Sequence, residues 1–206
     1  MRRLETQNYN TKEYYNKVFT EHFEESGLDT TDLWRTQWLL GRFKGGRLLD
    51  IGCGISPLPL FASQKEGSEV FALDFADEII SKFKGKSKVN YMVGDMYEIP
   101  FEDKTFDYTV LGEVLEHSEF PEKLIEEASR VTKDNGIIAI SCPNNETEEI
   151  HLYRQHIWGI KTSDIRKLVK VLKIETIGNN ILCYAKPNRN TGVKTLQKDS
   201  SELVKG

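Results

Sequence analysis

Apolar positions change their spacing along this chain, and the change divides it. Over the first 45 residues they recur at intervals of three and four. Tyr15, Val18, Phe19 and His22 or Phe23 share one face of a predicted helix, and Leu33, Trp34, Gln37, Trp38 and Gly41 share a face of a second. Short buried runs then take over, at Arg47–Ile51, Glu69–Asp74, Lys88–Met92, Phe106–Leu111 and Gly136–Ser141, each predicted as a strand. Helical spacing returns between them. Pro121, Leu124, Ile125, Ala128 and Val131 line one face and stop at the turn Lys133–Gly136. Ile165, Leu168, Val169 and Leu172 mark another helix, with Thr162 as its predicted N-cap. Two last runs, 172–177 and 181–185, flank the three-residue connection Gly178–Asn180 and predict a hairpin.

Strands alternating with helices imply an α/β fold: a doubly wound, mostly parallel seven-stranded sheet covered on both faces, closed by a C-terminal antiparallel hairpin. Residues 1–45 are expected to form an N-terminal helical cap or lid, 46–186 the ligand-binding domain, and 187–206 a flexible tail. In such a sheet ligands bind beyond the carboxyl ends of the strands, where strand order reverses. The residues just after each strand therefore carry the functional information.

Three turns stand out. After the first strand comes Asp50-Ile-Gly52-Cys53-Gly54, where glycines let the backbone approach a ligand closely. The third glycine of a dinucleotide fingerprint is missing, with Ser56 in its place, which argues against a pyrophosphate ligand such as NAD. After the second strand comes Asp74-Phe75, whose carboxylate can accept both hydroxyls of a ribose. After the third comes Gly94-Asp95-Met96, where Asp95 can take an adenine amino proton and Met96 can pack on the ring.

Together, Leu-Leu-Asp-Ile-Gly-Cys-Gly, Leu-Asp74-Phe, Gly-Asp95-Met with Ile-Pro-Phe behind it, and Phe-Asp-Tyr-Thr-Val-Leu-Gly-Glu-Val-Leu-Glu-His resemble the Rossmann-like S-adenosylmethionine (SAM)-dependent methyltransferases of type 11, including the ubiquinone-biosynthesis O-methyltransferases. The resemblance covers roughly residues 40–142. It implies SAM as cofactor, bound by Asp50, Gly52, Cys53, Gly54, Asp74, Phe75, Asp95, Met96 and Glu113.

The stretch Gly112-Glu113-Val-Leu-Glu116-His117 follows the fourth strand. If Glu113 begins a helical turn, then Glu113, Glu116 and His117 are neighbours three and four apart, and two carboxylates with an imidazole can hold a divalent cation. The alternative reading makes Glu113 a contact to the cofactor or to a helix end and His117 a general base or a packing residue; in its catalytic form Glu113 and His117 are the catalytic pair. Further on, His156-Ile-Trp158 supplies a second imidazole. A Glu-x-x-Glu-His motif followed by a later His resembles two metal-using groups, the ubiquinone-biosynthesis catechol-type enzymes and those methylating the terminal 2′-hydroxyl of small RNAs. That resemblance implies Mg2+ or another divalent cation on Glu113, Glu116, His117 and His156, with His151 as a substitute for His156.

Charge narrows the acceptor. The net charge is −4, and residues 186–206 hold only five Lys or Arg against Asp199 and Glu202, so nucleic acid is disfavoured and a small-molecule acceptor expected. Base chemistry at the Glu/His cluster points to a hydroxyl oxygen. A non-catalytic SAM-binding regulatory partner and an RNA 2′-O-methyltransferase are the alternatives. Cys53, Cys142 and Cys183 lie far apart with no Cys-x-x-Cys spacing, no run approaches a membrane span, and a reduced cytoplasmic setting is expected. Asp74→Ala or Asp95→Ala should weaken SAM binding in titration calorimetry without unfolding the protein; unchanged affinity in both removes the cofactor assignment.

Overall fold

The computed structural model describes residues 1–4, 10–30, 32–145 and 155–189. Seven strands form one sheet: β1 (Gly46–Ile51), β2 (Ser68–Asp74), β3 (Asn90–Val93), β4 (Phe106–Gly112), β5 (Thr132–Pro143), β6 (Lys170–Ile177) and β7 (Asn180–Lys186). Their order across the sheet is β3-β2-β1-β4-β5-β7-β6. β1 pairs in parallel with both β2 and β4, so strand order reverses beside it. β7 runs antiparallel to both β5 and β6.

Side chains alternate between two cores because successive residues of a strand face opposite ways. Leu49, Leu73, Phe106, Leu111, Ile138 and Ile140 belong to one core, which α5 (Pro121–Val131) and α6 (Thr162–Leu168) cover with Leu124, Ile125, Ala128 and Ile165. Leu48, Val70, Ala72, Tyr108, Val110 and Ala139 belong to the other. There the covering residues are Tyr15 from α1 (Lys12–Ser26), Leu39 from α2 (Leu33–Leu39), Leu58 and Ala62 from α3 (Leu58–Ser63), and Ile79, Ile80 and Phe83 from α4 (Asp77–Phe83). The doubly wound sheet with its hairpin is thus as expected, and all five apolar positions named for α5 are buried.

Five local expectations need correction. Along α2 the buried positions are Thr36 and Leu39, while Trp34 and Gln37 are exposed. This helix of about two turns is oriented by Leu39 in the core and by Trp38, whose ring stacks on Tyr184 at 4.1 Å with 7° between planes. In α6 the N-cap is Lys161, not Thr162, and its N–H donates to the Asp164 carboxylate at 3.1 Å. The helix stops at Leu168, because pairing with β7 draws residues 170–177 into an edge strand and leaves Leu172 exposed. The hairpin connection has two residues rather than three, since Ile177 and Asn180 pair directly and Gly178 adopts φ +57°. Finally, Lys133–Gly136 is not a turn ahead of the strand but a bulge within β5, whose pairing with β4 jumps from Phe106↔Thr132 to Tyr108↔Ile137.

Residues 190–206, most of the expected tail, lie outside the described residues; Asn188 and Arg189 bond to Ser129, Leu168 and Thr132. Among the described residues no helix is long and apolar enough to cross a membrane, and the three cysteines are buried and free. Phe106 is fully buried against Phe71 and Phe101. Phe106→Ala should therefore cost about 3–5 kcal/mol in urea unfolding, whereas Phe61→Ala, on a half-exposed ring, should stay within about 0.5 kcal/mol.

Candidate active site

A cavity of about 970 Å³ opens at the carboxyl ends of β1, β2, β3, β4 and β5, beside the point where strand order reverses. Every cofactor residue expected from the sequence lines it: Asp50, Gly52, Cys53, Gly54, Asp74, Phe75, Asp95, Met96 and Glu113. So do Glu116, His117 and His156. His151 lies outside the described residues.

The floor is the turn after β1. Gly52 and Gly54 have φ +72° and +46°, in the left-handed region that favours glycine. A Cβ on Gly52 would sit 2.6 Å from Val114 Cγ2, and one on Gly54 would sit 2.9 Å from Phe19 Cζ of α1. The turn is tied to β2 by Gly52 and Cys53 N–H groups donating to the Leu73 carbonyl, at 2.8 and 3.1 Å. Asp74 receives the Gly54 N–H at 2.8 Å and the Ala76 N–H at 2.9 Å. Burial pushes the Asp74 carboxyl up, and those N–H donors pull against it. Asp50 Oδ2 is buried with no hydrogen-bond partner among the described residues; burial, with the Asp74 charge close by, raises this carboxyl to about 7. Asp95 is exposed at the rim, its Oδ1 accepting the Tyr97 N–H at 2.7 Å, and Met96 beside it is half-buried.

The far wall comes from the turn after β4. Here the helical expectation fails at its first residue: Glu113 has φ +53°, its N–H donates to the Ser141 carbonyl, and the single 3-10 turn runs from Leu115 to His117. Glu113 therefore stands outside the group that Glu116 and His117 form among the described residues. Its Oε2 lies 3.5 Å from the Arg35 guanidinium of α2, which also holds Asp32 at 3.1 Å. Burial raises the Glu113 carboxyl, and Arg35 opposes that rise.

Glu116, His117 and His156 do converge: one ligand atom from each lies within 4.8 Å of the others. His156 reaches them because the Ile157 N–H donates to the Glu116 carbonyl at 2.8 Å and the Trp158 indole N–H to the Ser118 carbonyl at 2.7 Å. A further pairing, Arg3 opposite Trp158, holds that segment from outside. Burial and the neighbouring His156 lower His117 to about 3, so the ring is neutral at physiological pH. Residues that sequence reasoning missed are Arg35, Asn10, Gln155 and the hairpin residues Asn179 and Asn180. They sit outside any motif, and tertiary packing alone brings them here.

A cavity of this shape, at the reversal point of such a sheet, with a glycine turn and carboxylates after successive strands, defines a Rossmann-like nucleoside-binding domain. Residues 49–140 match the family described as methyltransferase domain, and the chain carries a Rossmann-like SAM-dependent methyltransferase domain. It is 31% identical over 132 residues to the demethylmenaquinone methyltransferase of Bacillus pumilus, covering 59% of this chain and 56% of that one. It is 27% identical over 158 residues to the sterol 24-C-methyltransferase of Schizosaccharomyces pombe, covering 69% and 42%. The chain thus spans about half the length of these curated relatives. Its fold is similar to that of a SAM-dependent methyltransferase from Aquifex aeolicus, with a TM-score of 0.62 and 20% identity, covering 86% of this chain and 99% of that one.

The pH dependence of binding follows from Asp50. A cation placed against this carboxyl stabilises its ionised form, so binding releases a proton below pH 7 and affinity rises with pH up to that value. Affinity for S-adenosylhomocysteine, whose amino-acid end carries an ammonium, should weaken by nearly tenfold per pH unit below about 7 and be flat above it. Isothermal titration across pH 5.5–8.5 measures the slope, and Asp50→Asn should abolish it.

Proposed function

We propose that this protein is a SAM-dependent methyltransferase acting on a hydroxyl oxygen of a small molecule, with His117 as general base. The observation that carries the reading is the His117 imidazole, flanked by Glu116 and His156, in the wall of the same cavity as the glycine turn. The cofactor fits the residues present. Among the described residues no group meets a buried oxygen of Asp50, and the Gly52 turn has no room for a Cβ beside Val114, so backbone alone forms the floor there. When bound, SAM supplies an electrophilic methyl on a sulfonium.

The chain's own residues then have separable tasks. Asp74 and Asp95 bind the nucleoside, and Asp50 receives the cationic end of the methionine moiety. Arg35 and Glu113 neutralise each other at the cavity wall. His117 takes the hydroxyl proton as the oxygen–carbon bond forms and the carbon–sulfur bond breaks, leaving a thioether and an imidazolium. Glu116, 3.8 Å from His117 Nε2, stabilises that imidazolium. The cavity walls carry Asp29, Asp32, Glu116 and Glu119 against Lys12 and Arg35, which disfavours acceptors bearing phosphate and so disfavours RNA.

A second reading places a divalent cation on Glu116, His117 and His156. It is favoured by their donor chemistry, one carboxylate and two imidazoles, which suits a divalent ion. Glu113, held at Arg35, is dropped from the ligand set. Bound there, a cation would lower the pKa of an acceptor hydroxyl. The two readings exclude one another at His117, because one lone pair cannot both ligate and accept the proton.

His117→Gln should lower kcat by about a hundredfold with little change in KM for SAM, in a radiolabelled methyl-transfer assay over a panel of phenols and alcohols. Turnover that survives EDTA removes the cation reading and leaves the base reading standing. Turnover lost in EDTA and restored by Mg2+ or Mn2+ removes the base reading instead.

A further inference from the structure

Three groups close a ring of hydrogen bonds with His117 Nδ1 that the reaction as described does not use. Nδ1 lies 3.1 Å from the Gln155 carbonyl and 3.1 Å from the Tyr15 hydroxyl. The Asn10 side-chain amide donates to that same Gln155 carbonyl at 2.9 Å. Its own oxygen accepts the Tyr15 hydroxyl proton at 2.7 Å.

Each link fixes the next. A carbonyl can only accept, so the Asn10 NH2 group faces Gln155 and its Oδ1 faces Tyr15. Oδ1 can also only accept, so the Tyr15 proton points at Asn10 and away from the imidazole. The Tyr15 oxygen is then left as an acceptor on its imidazole side. Nδ1 faces two acceptors, this oxygen and the Gln155 carbonyl, and both bonds require a proton on Nδ1. The Nε2 lone pair is thereby directed at the other side, where Glu116 stands at 3.8 Å. The imidazole is also braced from the same helix, since the Tyr15 ring packs edge-on to it with centroids 6.1 Å apart.

We propose that Tyr15 is a positioning residue which, oriented by Asn10 and assisted by the Gln155 carbonyl, locks His117 in the tautomer protonated at Nδ1. The inference rests on the reading of His117 as the reactive imidazole, and it deepens that reading. It also gives α1 a second task besides covering the cavity: the lock exists only when the helix and the segment before His156 are seated together. A His117 protonated instead at Nε2 would present a donor to the acceptor hydroxyl and could neither take its proton nor ligate a cation there.

The test uses the full chain labelled with 15N-histidine, with long-range proton–nitrogen correlation spectra to read the tautomer and His117→Gln to assign the resonance. The expected pattern for the unsubstituted protein is protonation at Nδ1. Tyr15→Phe keeps the ring but removes the acceptor, and should give a mixture of tautomers and a kcat about threefold lower, with KM for SAM unchanged. Asn10→Ala should be worse, about tenfold, because the freed Tyr15 proton can turn toward Nδ1 and favour the opposite tautomer. The double variant Asn10→Ala/Tyr15→Phe should then recover to the level of Tyr15→Phe alone. A purely structural role for these residues predicts no such rescue. Protonation at Nε2 in the unsubstituted protein, or a double variant no better than Asn10→Ala, overturns the proposal. If His117→Gln itself leaves turnover unchanged, the base reading fails, and the spectra alone still decide the tautomer.

Discussion

Close passage of the chain at the end of β1 governs the rest of the site. Gly52 and Gly54 run directly under Val114 and Phe19, with no room for a Cβ at either position. The turn therefore connects three parts of the molecule at once: β2 through the Leu73 carbonyl, the β4 turn through Val114, and α1 through Phe19. A side chain at either glycine would push α1 or the β4 turn outward and open the cavity. Because φ is positive at both, strain would add to the overlap. The floor for the cofactor and the seat for the N-terminal helix are the same few atoms.

Acidic groups outnumber basic ones in the cavity. Asp50, Asp74, Glu113 and Glu116 are gathered in a poorly solvated space where an unneutralised carboxylate is costly. Two devices limit that cost within the chain. Backbone N–H groups donate to Asp74, and Arg35 stands beside Glu113. Among the described residues Asp50 has neither, and burial with the neighbouring Asp74 charge raises its carboxyl to about 7. A ligand carrying positive charge, as SAM does at both its sulfonium and its ammonium, relieves this imbalance, and an anionic acceptor would aggravate it. The neutral imidazole of His117 adds no further negative charge to the wall.

Much of this was legible from spacing and composition. Leu48 and Leu49, adjacent in sequence, lie in different cores, and such short buried runs alternating with helical segments are what announced a sheet covered on both faces. The cofactor turns were legible because each follows a strand directly, so a local pattern fixes a position in space. Legibility failed where neighbours in space decide. Trp34 reads as core by helical spacing, yet α2 is rotated by the Trp38–Tyr184 stack, a contact across 146 residues. Leu172 reads as the last position of a helix, yet β7 offers a row of backbone partners and captures it into a strand.

The Glu-x-x-Glu-His stretch shows the same division over a few residues. Its chemistry, carboxylates and an imidazole after the fourth strand, was determined by the sequence, because residue type and strand position are local facts. Which of those groups act together was decided only by the tertiary structure. The left-handed backbone at Glu113, bonded to Ser141 on the neighbouring strand, leaves that carboxylate beside Arg35, while His156 from far along the chain joins Glu116 and His117. The protonation of His117 belongs to the same category. It depends on Asn10, Tyr15 and Gln155, which no periodicity connects, because hydrogen bonds select partners by distance and direction in space and not by separation along the chain.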